Sequence, residues 1–145
     1  MNTIEKVFFA LRKQGIDSVV DRNMLSFSYR KLNGLYLQDE QDENYFSMYL
    51  PGIFEIDEQN EQTVLQLINK INGNMRMVKL AVYGRYVWIG VELPIYKETL
   101  VEEIVAMTLE VLYEAWQQFL KFAHELPDLG YMIYNSRETV RSLQN

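Results

Sequence analysis

Apolar residues recur along this chain with two periods, and the change from one to the other marks out the elements. Ile4, Val7, Phe8 and Leu11 fall at helical spacing with Glu5, Arg12 and Lys13 off the stripe, which predicts a first helix over 3–14. Asn2 is placed to cap that helix and Gly15 to close it. The period then shortens to two. Leu25, Phe27 and Tyr29 alternate with Ser26, Ser28 and Arg30, and Leu35 and Leu37 alternate with Tyr36 and Gln38, the patterns of two half-buried strands. A two-residue Asn33-Gly34 turn would pair Tyr29 with Gln38 and put the apolar rows on opposite faces. A three-residue loop with Gly34 as a left-handed bulge pairs Tyr29 with Leu37 and joins the rows on one face, and this register is expected. A third strand is predicted over 45–50, with Phe46, Met48 and Leu50 inward and Pro51-Gly52 as its stop.

Helical spacing returns over 60–72, where Val64, Leu65, Ile68 and Ile71 share a face and Gly73 supplies the C-terminal stop. A hairpin follows, 77–83 and 86–93 joined by Gly84-Arg85. A Gly-first two-residue turn pairs Val82 with Val87, Leu80 with Ile89 and Val78 with Val91. These six aliphatic residues form one face and are expected in the core, while the other face sets Tyr83 beside Tyr86 and Ala81 beside Trp88. The longest helix is predicted over 100–125, opened by Thr99 with Glu102 at capping-box spacing and ended by Pro127. Its apolar stripe, from Val101 through Leu112 and Trp116 to Ala123, is too wide for a single packing surface.

The resulting expectation is one α+β domain over 1–127. It has two layers, a twisted antiparallel sheet and flanking helices, in the order α-β-β-β-α-β-β-α. Residues 128–145, with Tyr131-Met132-Ile133-Tyr134, are expected to be an extension that docks on the domain or on a partner.

Composition narrows the function classes. A chain of 145 residues, 48% hydrophobic, is long enough for one core that buries roughly 70% of the unfolded surface. The formal charge of −6, with no Lys/Arg cluster, argues against nucleic acid as a partner. Without cysteine there is no disulfide, thiolate zinc site or thiol nucleophile, which suits a reducing compartment. No apolar run approaches the roughly eighteen residues of a membrane span, and the N-terminal residues lack a signal-peptide pattern. A cytoplasmic protein with no membrane partner is expected.

Candidate chemistry is sparse. His124 is the only histidine, so a multi-histidine metal site is excluded, and its place near a helix C-terminus suits a dipole interaction. Glu102 and Glu103 are adjacent, point about 100° apart and fit first-turn dipole stabilisation. The acidic run 39–44 invites a calcium reading, but it lacks the glycine and distal glutamate of an EF-hand and reads as an exposed turn. No nucleophile elbow, P-loop or dinucleotide fingerprint occurs. Gly84, Gly90 and Gly73 read as turn, close-approach and cap positions, and Asn69 and Asn72 as helix-end side chains bonded to backbone. Neither catalytic residues nor a cofactor are expected. The aromatic side of the second hairpin, Ala81, Tyr83, Tyr86 and Trp88, either packs under a helix or the C-terminal extension, or forms an interface of the aromatic kind that concentrates binding energy.

The meander from Leu25 to Leu50-Pro51, the segment Leu67-Ile68-Asn69-Lys70-Ile71-Asn72, the Val78 to Leu93 hairpin and the long terminal helix resemble the YbjN-like family of candidate sensory-transduction regulators. Beyond it they resemble the type III secretion chaperone-like fold. The similarity spans residues 3–126. It implies a twisted antiparallel sheet with helices packed on it, a homodimer, and a role in binding another polypeptide or regulating signalling without catalysis. The matching residues are structural, so no site is carried over. A non-enzymatic polypeptide-binding or regulatory module is the expected function. The alternative is a small-ligand sensor with an apolar pocket between the sheet and the long helix, lined by Trp116 and Phe119.

Overall fold

The computed structural model describes residues 1–126 of the chain; the expected extension over 128–145 lies outside them. Three helices and six strands follow in the order α1 (Thr3–Lys13), β1 (Ser18–Asp21), β2 (Met24–Tyr29), β3 (Leu32–Leu37), β4 (Tyr45–Glu55), α2 (Glu61–Asn74), β5 (Val78–Tyr83), β6 (Tyr86–Pro94) and α3 (Val101–His124). The strands form a single antiparallel sheet in the order β1-β2-β3-β4-β6-β5. The α+β class and the alternation of elements are as expected, with β1 added at the edge. Val19 and Val20 of β1 are 68% and 47% exposed, so this strand carries no buried alternation by which to read it.

One face of the sheet carries the helices. Leu25, Phe27, Tyr36, Phe46, Met48, Leu50, Phe54, Val78, Leu80, Val87, Ile89 and Val91 join Ile4, Val7 and Leu11 of α1, Val64, Leu67, Ile68 and Ile71 of α2, and the buried stripe of α3 in one core. The breadth of that stripe is used inside the chain, since α3 packs against the sheet, α1 and α2 together. Phe119 meets Phe54 edge-on with ring centroids 5.7 Å apart. Asn2 accepts a hydrogen bond from the Glu5 N–H, and Gly15, at φ +77°, ends the turn after α1, both as the sequence indicates.

Several local expectations are corrected. The β2–β3 hairpin pairs Tyr29 with Leu32 and Leu25 with Tyr36, turning at Arg30-Lys31, both with positive φ. Tyr36, not Leu35 and Leu37, therefore faces the core, where it is fully buried against Phe46. Gly34 is not a bulge. It stands opposite Phe27, and a Cβ there would lie 2.3 Å from the Phe27 ring, so the glycine makes room for that side chain. Pro51-Gly52 does not stop β4; the strand runs on to Glu55 through an irregularity between Leu50 and Phe54, with Gly52 at φ +56°. A bulge tolerates a residue with no N–H to give to the ladder.

Gly73 lies inside α2, which runs on to Asn74 with Met75 as its C-cap, and Leu65 is exposed while Leu67 is buried in its place. Thr99 does not cap α3: its Oγ1 accepts from the Tyr96 N–H at 2.9 Å, and the N-cap position is Leu100. Val82 is 38% exposed at the tip of the second hairpin, although its partner Val87 is fully buried.

Candidate functional site

The second hairpin forms in the predicted register, with Val78 on Val91, Leu80 on Ile89, Val82 on Val87, Ala81 on Trp88 and Tyr83 on Tyr86. Gly84, at φ +62°, opens its turn. Because side chains alternate along a strand, Ala81, Tyr83, Tyr86 and Trp88 all project to the face opposite the helical layer. Tyr83 is 50% exposed, and Ala81, Tyr86 and Trp88 are partly buried. The four residues named from sequence thus share one surface.

A residue outside that set completes it. Tyr49 of β4 pairs in register with Gly90 of β6, and Gly90 with Lys79 of β5, so the three form one row across the sheet. A Cβ on Gly90 would sit 2.6 Å from Cδ1 of Tyr49. The glycine therefore lets the Tyr49 ring lie across β6, where it meets Trp88 edge-on at 5.8 Å and 71°. Tyr83 flanks the other side of Trp88 at 5.3 Å and 59°. These rings, with Met77, Lys79, Ala81, Gly90 and Glu92, line a groove of about 250 Å³. Tyr49 was legible in principle, because inward Phe46, Met48 and Leu50 leave it on the opposite face. Gly90 marks the close approach, as a mid-strand glycine should.

Two polar contacts set the charge of this surface. The Tyr49 hydroxyl donates to Oε1 of Glu92 at 2.8 Å. Burial, and then the adjacent Glu92 carboxylate, push the Tyr49 hydroxyl far above the ordinary tyrosine range, so it stays a donor at all physiological pH. Lys79 Nζ is drawn to the Asn72 carbonyl oxygen at 3.4 Å. The Nε1 of Trp88 is buried without a hydrogen-bond partner among the described residues.

The other candidates take structural positions. His124 is the exposed last residue of α3, and Glu102 and Glu103 lie in its first turn, with Glu102 paired to Lys13. In the acidic loop, Asp39 and Asp42 accept from the backbone N–H groups of Gln41 and Asn44, both at 2.9 Å, as turn-forming side chains do. Among the described residues no group of three or more His, Asp or Glu is placed to hold a metal ion. No described helix is long and apolar enough to cross a membrane.

No protein-family model and no curated protein sequence matches the chain. Solved structures do match. YbjN of E. coli, described as a candidate transcription regulator, superposes with a TM-score of 0.66 at 11% identity, over 92% of this chain and 96% of that one. An uncharacterised protein from Methanothermobacter thermautotrophicus gives 0.62 at 12% identity, over 85% and 97%. A chain of the ExsC–ExsE complex gives 0.57 at 14% identity, over 80% and 90%. At such identities the likeness is one of fold, and the chain has the YbjN-like, secretion-chaperone-like fold that its sequence resembles.

Proposed function

We propose that this protein is a non-enzymatic polypeptide-binding or regulatory module of the cytoplasm that uses the aromatic face of its sheet as the contact surface. The observation that carries the reading is the Tyr49–Trp88–Tyr83 cluster, three large rings on paired strands on the face away from the helices. Rigid aromatics held by a sheet bury area at little entropic cost, and interface energy concentrates in such residues. A fold relative occurs in a complex of two proteins, and another is described as a regulator, which supports the same class. The net charge of −6 favours a partner other than nucleic acid.

A small-ligand sensor is the second reading. Where it would place a pocket, between the sheet and α3, Phe54 and Phe119 are fully buried and packed edge-on, which supports the polypeptide reading over it. Self-association into a homodimer through the same face is compatible with the proposal. The broad stripe of α3 does not call for a second copy, since α1, α2 and the sheet pack against it.

The test is affinity purification of the tagged protein from its native host, followed by titration of the purified co-eluting species. A defined polypeptide that binds directly and saturably supports the proposal. A small molecule in its place supports the sensor, and light scattering coupled to gel filtration reads the dimer.

A further inference from the structure

We infer that the groove between Tyr49, Trp88 and Tyr83 receives a cationic side chain, arginine or lysine, from a bound polypeptide, with Glu92 as its counter-charge. This rests on the polypeptide-binding reading and adds the chemistry of what is recognised. Three ring faces and edges meet around the floor at Gly90, and tyrosine and tryptophan are the rings that attract a cation most strongly. Two charged side chains line the groove, and they are not equivalent. The Lys79 ammonium is engaged by the Asn72 carbonyl of α2, at the sheet edge. Glu92 is exposed and is held beside the rings by the Tyr49 hydroxyl, which engages one carboxylate oxygen.

The groove thus offers quadrupoles and an anchored carboxylate. Beside the rings an acidic side chain would meet the Glu92 carboxylate, the Lys79 ammonium keeping its charge but being drawn to the Asn72 carbonyl at the sheet edge, and an aliphatic one would take water from Glu92 without replacing its hydrogen bonds. A guanidinium stacks on a ring and bonds a carboxylate at once, which fits both features.

The test follows the indole N–H signal of Trp88 by NMR in the full-length protein, assigned against a Trp116→Phe variant. The probes are the blocked tripeptide Val-Arg-Val and its citrulline counterpart, which keeps the shape and removes the charge. The arginine peptide is expected to shift the Trp88 signal saturably and to bind at least about fivefold more tightly than the citrulline peptide. Glu92→Gln should reduce that preference to about twofold or less. Equal binding of the two peptides overturns the inference while leaving polypeptide binding at this face intact, as does an undiminished preference in Glu92→Gln. Failure of both peptides to move the signal overturns the inference and the polypeptide reading of the face together.

Discussion

The side chain of Asn72, in the last turn of α2, holds the backbone of Leu80 in the edge strand β5 from both sides: Nδ2 donates to the Leu80 carbonyl at 3.0 Å, and Oδ1 accepts from the Leu80 N–H at 2.8 Å. One carboxamide thus does what a neighbouring strand would do, and it covers an edge otherwise open to pairing with another chain. Asn72→Ala is expected to lower stability by about 1 to 3 kcal/mol, because it leaves the N–H and the C=O of Leu80, both partly buried, without their protein partner. Asn69→Ala, at an exposed position of the same helix, should stay within about 0.5 kcal/mol. Urea denaturation of the two variants checks the contrast.

The second hairpin separates buried from exposed aliphatics. Leu80 and Ile89 are 3% and 0% exposed and face each other across β5 and β6. Leu80→Ala or Ile89→Ala should each cost about 2 to 5 kcal/mol as cavity-forming changes. Val82, at 38% exposure, sits on the same face at the hairpin tip, and Val82→Ala should cost less than about 1 kcal/mol. Denaturant midpoints at unchanged slope measure both.

Gly90 and Tyr49 are expected to behave as one unit. Gly90→Ala forces the Tyr49 ring off β6 and with it the bond to Glu92 and the contact with Trp88, at a cost of about 1 to 3 kcal/mol. In a Tyr49→Ala background the same change should cost close to nothing, since the clash has been removed. A double-mutant cycle, with near-ultraviolet circular dichroism as the reporter of the rings, tests the coupling.

How far the sequence could be read depended on whether local signals and burial agreed. The second hairpin was legible to the residue, because a turn glycine and uninterrupted aliphatic alternation point to the same register. The first was not. Its turn uses Arg30 and Lys31 at positive φ, two residues that carry no turn signature. The Asn33-Gly34 pair beside them resembles a turn, but Gly34 is small for the sake of the Phe27 ring. The aromatic face was half legible: Ala81, Tyr83, Tyr86 and Trp88 follow from parity within one hairpin. Joining Tyr49 to them requires knowing that β4 lies beside β6, a pairing across some forty residues that no local pattern encodes.

His124 is the only histidine, at the exposed C-terminal end of α3. His124→Ala is expected to leave partner binding unchanged and to lower stability by no more than about 1 kcal/mol, the scale of a side chain's interaction with a helix dipole. Thermal melts and the binding titration together check it, and loss of binding in a folded variant would contradict it.

The central claim is that the aromatic face binds a polypeptide and is not needed for the fold. Its most direct test is the affinity of the purified polypeptide partner for wild type, Tyr83→Ser and Trp88→Ser, measured by calorimetry beside the unfolding free energy of each protein. At least about tenfold weaker binding is expected for both variants, as for other interface aromatics. Tyr83→Ser, at a half-exposed ring, should keep its stability within about 1 kcal/mol of wild type. Unchanged affinity in both variants, or unfolding of Trp88→Ser as readily as Leu80→Ala, would contradict it.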